Sequence, residues 1–330
     1  MSNPSSPPQN HIGRQLLTWT IKIVVSGGLL YWLFRSQDIK VANLLATVRS
    51  ASPLWLGVAL FLQFAVIAVG TWRWRLLLTA QHVDVPFRSL MNSYLVANFF
   101  NQILPSNVGG DVVRIGDTSK PVGSTTLAAM LVLVDRGIGL LGLAFVAAVG
   151  ASITAWISPT LGPIGPGILW LILAAAIVAT GWAVWMPHGV GALLKPLRVL
   201  HQEWVGERIE QLMAALHKFR SAPSALVIGF AAAVVVQGLL VLFYVSIALA
   251  LRYEISIADL AVVVPISLVI QMLPVSLGGL GVRESTFVLY LKPFGVAQQS
   301  ALTLSLTGTI LIVLFSLSGA VAYFVRTKKH

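Results

Sequence analysis

The sequence predicts an all-α polytopic membrane protein of about six full spans plus two re-entrant half-helix hairpins related as an inverted repeat. Three observations carry that expectation. Of 330 residues, 57% are hydrophobic and 10% charged, with a mean hydropathy of +0.85, whereas soluble domains carry about 25% charged residues. The apolar residues gather in runs approaching the roughly 20 that cross a bilayer. One 13-residue string then occurs twice, as Gln-Ile-Leu-Pro-Ser-Asn-Val-Gly-Gly-Asp-Val-Val-Arg over 102–114 and Gln-Met-Leu-Pro-Val-Ser-Leu-Gly-Gly-Leu-Gly-Val-Arg over 271–283, with seven identities at an offset of 169.

Residues 1–16 read as a polar cytoplasmic tail. Leu17 to Phe34 is the first span, retained rather than cleaved because no small-residue signal precedes Arg35. Lys22 snorkels near its cytoplasmic end, and Asp38 to Ser50 forms a short amphipathic connector. Pro53 to Gly70 is the second span, closed by Trp72, Arg73, Trp74 and Arg75, an aromatic and cationic edge of the kind found at headgroups. Leu90 to Leu104 is short for a crossing and runs into Pro105, as a half-helix would. Thr125 to Ala151 crosses with Asp135 and Arg136 at its middle, and Gly167 to Met186 returns. Pro187 to Pro223 is the one aqueous segment, a surface helix with Lys195, Arg198, Arg208, Lys218 and Arg220. Ala225 to Leu251 crosses, Leu260 to Leu273 is a second short half ending at Pro274, and Ala301 to Val325 is the last span. These make one transmembrane domain over 17–326, with repeat halves 53–186 and 225–326 joined by cytoplasmic 187–223.

Charge orients these spans. The uncharged stretch 152–166 belongs outside, and 187–223 and the C-terminal tail inside. Both termini are then cytoplasmic in a plasma (inner) membrane, although Arg35, Lys40 and Arg49 fall on the outer side. Span directions make the segment between 70 and 125 enter and leave from the inside, and 257–297 from the outside. Eight full crossings remain the alternative.

The residue types in the repeat fit a site in the bilayer. Pro105 and Pro274 stop helices where freed backbone groups are tolerated only against protein or a watery cavity. Gly109, Gly110, Gly278, Gly279 and Gly281 permit tight turns and close approach. A half-helix starting after them presents free N–H groups to an anion. Arg114 and Arg283 add planar forks suited to phosphate. Asp135 and Arg136 lie where ionisable residues are costly, and their expected partners are Arg114 and Asp111. That pairing serves either a transport pathway or a purely structural lock. Glu284 neutralises Arg283 or another arginine. Asn98, Asn101, Gln102, Gln237 and Gln271 read mostly as interhelical hydrogen-bonding groups, with Asn101 and Gln102 abutting the motif. Asn107 and Ser276 complete the candidate binding residues. Trp72, Trp74, Trp182 and Trp185 read as interfacial anchors. With no cysteine and no HxxxH pair among six histidines, neither a metal nor a cofactor is expected. The net charge of +11 suits anionic lipid rather than nucleic acid.

In the run 101–114, in Val134-Asp-Arg-Gly-Ile-Gly139 and in 273–284, the sequence resembles the family named for the lysylphosphatidylglycerol synthetase transmembrane region, also described as flippase-like or UPF0104 proteins. The resemblance covers about residues 15 to 326. It implies movement of a lipid or lipid-linked saccharide between leaflets. Some relatives carry an aminoacyl-transferase domain, which is not expected here, so lysyl transfer is not implied. The leading expectation is a non-enzymatic flippase for an anionic or isoprenoid lipid. A lipid-linked transferase and a non-catalytic partner of a lipid-modifying enzyme remain open. The stretch 305–308 in the second half has no counterpart of Asp135 and Arg136, so the halves are expected to be functionally unequal.

Overall fold

A computed structural model of the chain describes residues 48–104, 109–157, 165–186, 202–272 and 278–327, together with 24, 27, 28, 31, 189 and 276. Most of the expected first span, Pro105, Asn107, Pro274 and residues 158–164 of the uncharged stretch 152–166 lie outside the described residues. Every regular element described is helical: α1 (Pro53–Thr79), α2 (Phe87–Ile103), α3 (Gly109–Val122), α4 (Thr125–Ile157), α5 (Pro166–Trp185), α6 (Gln202–Ser221), α7 (Pro223–Ala250), α8 (Ile257–Gln271), α9 (Val282–Leu291) and α10 (Gln298–Thr327). Five of them, α1, α4, α5, α7 and α10, are long and apolar enough to cross a membrane.

Local chemistry sets the boundaries. Proline opens α1, α5 and α7, where its missing N–H has no helical partner to lose. α2 ends at Leu104, which turns extended at ψ 147° because the following Pro105 crowds the helical conformation. Gln271 closes α8 three residues before Pro274. α1 differs from its expected length. It continues past Gly70 to Thr79 because Leu76-Leu77-Leu78 prolongs the apolar stripe, and Trp74, Leu77 and Leu78 are buried. α4 likewise continues to Ile157.

α1 packs along α7, α2 against α10, and α8 against α4, so the short helix of each half lies on the long helix that follows the motif in the other. Small residues bring these helices close. A side-chain carbon placed on Gly142 would sit 2.7 Å from Ala233, and one on Gly150 2.7 Å from Ala261, the close approach on which helix association in lipid depends. Large apolar side chains such as Phe61, Leu171, Val178 and Leu314 stay exposed on the outside, as expected where the surrounding medium is hydrocarbon. α6 buries Ile209, Ala215, Leu216 and Phe219 and exposes His217, Lys218 and Arg220, the amphipathic pattern expected of it.

Candidate functional site

A cavity of about 340 Å³ lies between the halves. Its wall takes Gln102, Asp111 and Arg114 from the first motif, Gln271, Gly278 and Arg283 from the second, and Asp135 and Arg136 from α4. The motifs touch backbone to backbone, since a side-chain carbon on Gly278 would lie 3.0 Å from the Gln102 carbonyl.

At the first motif the chain leaves α2 and restarts as α3 at Gly109 and Gly110. Both glycines are helical, with no positive φ. Their smallness serves close approach instead: Gly109 packs on Leu104 and Gly110 on the Ala97 carbonyl. The Gly110 N–H donates to Asn101 Oδ1 at 2.7 Å, so α3 does not begin with that group free. Asp111 accepts from Arg136 and lies 3.8 Å from Arg114. Arg114 donates to Asp135 Oδ2 at 2.8 Å. The expected pairs, Arg114 with Asp135 and Arg136 with Asp111, are therefore both present.

Two residues read as headgroup anchors belong to the interior instead. Arg73 is 6% exposed and donates through Nε to Asp135 Oδ1 at 2.7 Å. Trp74 is 1% exposed, with the Arg114 guanidinium 4.2 Å from its ring centre. Tyr94 holds the same guanidinium at 4.6 Å, giving Arg114 two aromatic partners plus a carboxylate, an arrangement worth most where water is scarce. Trp72 and Trp185 do remain exposed. α1 runs through Arg73 into Leu76-Leu77-Leu78, which places the arginine inside a span rather than at its end.

The second motif folds differently. Gly278, Gly279 and Gly281 take φ of 52°, 81° and 82°, a left-handed region open to glycine, and α9 starts only at Val282. Gly281 replaces Val112 of the first copy, one of the differences that accompany the later start. Glu284 is fully buried; its Oε2 accepts from the Gly281 N–H at 2.6 Å and its Oε1 from the Thr309 hydroxyl at 2.9 Å. Glu284 thus caps its own helix, the reach-back half of a capping box, and is joined to Arg283 only through Thr309. Arg283, 5% exposed, donates to Gln271 Oε1 at 2.9 Å, to Thr309 Oγ1 at 3.0 Å and to the Gly278 carbonyl at 3.4 Å. Ser276 is buried nearby in the chain.

Four arginines and two aspartates line the cavity, a net of two positive charges. Buried Gln63 Oε1, Asn98 Nδ2, Arg114 Nε and Gln237 Oε1 on the same wall have no hydrogen-bond partner among the described residues. Among those residues, no three acidic, histidine or cysteine side chains group to hold a metal. Tyr94, Gln63 and Thr309 also reach the site without a sequence signal of their own, since an isolated polar residue in an apolar helix looks like any interhelical contact.

Residues 19–319 match the family described as the lysylphosphatidylglycerol synthase TM region. The chain belongs to that family. A similar protein, a UPF0104 membrane protein of Methanothermobacter thermautotrophicus, is 26% identical over 280 residues, covering 76% of this chain and 79% of the relative. The synthase TM-region match takes in both motif copies and α1 to α9 entire, and with five apolar crossing helices it describes a multi-pass membrane protein.

Proposed function

We propose that this protein moves an anionic or isoprenoid-linked lipid, or a lipid-linked saccharide, between leaflets, holding the headgroup in the central cavity while the halves rock about it. The observation that carries this reading is Arg283. It is a buried cation whose direct hydrogen-bond partners are all neutral, with Glu284 reached only through the Thr309 hydroxyl, in a cavity whose two aspartates already serve the other arginines. A buried cation with no carboxylate in direct contact is unfavourable, and an anionic headgroup complements it.

A lipid is favoured over a soluble anion by an apolar groove of about 550 Å³ between α4, α7 and α8. It runs from Phe145 to Ile157 along α4, about 18 Å at the helical rise, comparable to half of the roughly 30 Å hydrocarbon core. Gln237 lines the cavity and its neighbour Gly238 the groove, so a headgroup and its chain have adjoining places. The family name, which refers to a lipid synthase, supports the same class of substrate. The exchange of short and long helices between halves supports two oppositely inserted re-entrant hairpins. The cations Lys218, Arg220 and Arg326 at helix ends support cytoplasmic ends for α6 and α10, hence an inner-membrane protein with both termini inside.

Purified protein in liposomes with acyl-labelled phosphatidylglycerol and an impermeant quencher tests this. Native protein is expected to expose the inner-leaflet label, and Arg283→Gln to slow exposure by about tenfold or more, a loss of about 1.4 kcal/mol. Arg136→Ala and Arg283→Ala are expected to differ in effect, because only the first breaks an internal ion pair. Covalent conversion of the lipid would replace this reading with a transferase. No movement and no conversion would leave a non-transporting partner of a lipid-modifying enzyme.

A further inference from the structure

A second pocket, of about 540 Å³, lies where the start of α2 meets the end of α10, with Asp117 of α3 in its wall. It is separate from the central cavity. At about 3.6 residues per turn, Arg88, Ser89 and Asn92, which line the pocket, share one face of α2. Tyr94, Ala97 and Asn101, which line the cavity, share the opposite face. α10 divides in the same way, since Val321 and Val325 line the pocket and Ile312 the cavity. One turn deeper the two helices touch: a side-chain carbon placed on Gly319 would run into the Leu95 carbonyl, which closes the gap between them.

The pocket carries two cations, Arg88 and Arg326, and one anion, Asp117. Asp117 accepts from both terminal nitrogens of Arg326, from Nη1 at 2.7 Å. A guanidinium has more N–H donors than one carboxylate takes, so the pair fixes the plane of Arg326 at the pocket wall and still leaves it donors. Arg88 is exposed and has no acceptor among the described residues. Its charge leaves the pocket one positive unit in excess, which one phosphodiester neutralises, and planar guanidinium forks suit phosphate oxygens. The apolar side of the pocket makes that phosphate part of a lipid. From Val321 the exposed Leu317, Leu314 and Ile310 continue as one stripe at helical spacing along α10. The stripe runs about 17 Å at the helical rise, close to the depth of one leaflet in a hydrocarbon core of roughly 30 Å. We infer that the pocket is a second lipid site, where an anionic phospholipid sits as a resident of the α2–α10 edge, phosphate at Arg88 and Arg326 and chains on the stripe, and does not pass through the central cavity. This goes beyond the transport reading and stands without it.

Photo-crosslinking in liposomes tests this. Phosphatidylglycerol with a diazirine in its acyl chain, diluted in unlabelled phosphatidylcholine, is activated, and the labelled peptides are read by mass spectrometry. Label is expected on α10 over 310–321. Arg88→Gln should lower it about fivefold, the weight of one arginine on an anionic lipid, while Arg283→Gln should leave it unchanged. Arg88→Gln removes no hydrogen bond or ion pair among the described residues, so the variant keeps the fold, and an unchanged melting temperature checks that. A phosphatidylcholine probe should label the stripe more weakly and without regard to Arg88. Equal labelling by the two probes, or labelling by phosphatidylglycerol that ignores Arg88, reduces the pocket to bulk lipid contact and overturns the inference. An equal loss in Arg283→Gln assigns the lipid to the central cavity and overturns it too, and removal of the label by millimolar inorganic phosphate replaces it with a soluble-anion site. The expected labelling in a protein that moves no lipid keeps the inference and overturns the transport reading alone.

Discussion

At the scale of single residues, Asp135 is the centre of the first half. It is 1% exposed and takes Arg73 and Arg114 on its two oxygens. Removing one partner of a buried pair costs about 3–5 kcal/mol, because the remaining charge is stranded. Asp135→Asn strands Arg73 and leaves Arg114 only its 3.8 Å contact with Asp111, and should lower the melting temperature in detergent sharply. Arg73→Leu leaves Asp135 with Arg114 and should cost less; a smaller effect for Asp135→Asn than for Arg73→Leu would show that the carboxylate is not the hub. The Arg114–Asp135 and Arg136–Asp111 pairs were legible in the sequence, since mid-span charges need opposite partners. Arg73 was not, because its neighbours Trp72 and Arg75 imitate an interfacial edge.

At the scale of elements, glycine positions separate packing from open space. Gly142 faces Ala233 at contact distance, whereas nothing lies within 4 Å of the carbon a side chain would add at Gly238. Gly142→Val should therefore cost about 1–3 kcal/mol by overpacking, measured as loss of thermal stability, and Gly238→Ala should be silent. Gly238→Trp instead fills the groove beside α7. It should leave stability near native and slow movement of long-chain lipid in the liposome assay; an unchanged rate would remove the groove from the pathway. α3 is tied to α10 by Asp117, which accepts from Arg326 at 2.7 Å. That pair is half in solvent, so on stability it counts for at most about 1 kcal/mol. Both motif copies were visible as one string, yet they start their helices at different points. In the second copy Gly278, Gly279 and Gly281 take positive φ, whereas the first copy has Val112 in place of Gly281 and stays helical from Gly109, a difference in backbone freedom that a count of identities does not weigh.

For the whole molecule, the prediction concerns sidedness. The chain has no cysteine, so single cysteines report cleanly. Cysteines placed singly over 116–122 should react with impermeant reagents from the cytoplasmic side only, and cysteines over 292–297 from the outer side only. Labelling of 116–122 from outside would favour eight crossings over two re-entrant hairpins.

The sequence by itself determined the membrane class, the helical content, most of the crossing helices and the existence of two related motifs. These follow from local quantities: run length, charge density and the positions of proline and glycine. The tertiary structure alone decided that Arg73 and Trp74 belong to the interior, that Glu284 caps its own helix, and that Arg283 has only neutral direct partners among the described residues. Such facts depend on which helices meet and in what register. In a span where nearly every residue is apolar, hydrophobic pattern no longer distinguishes a face turned to lipid from a face turned to protein.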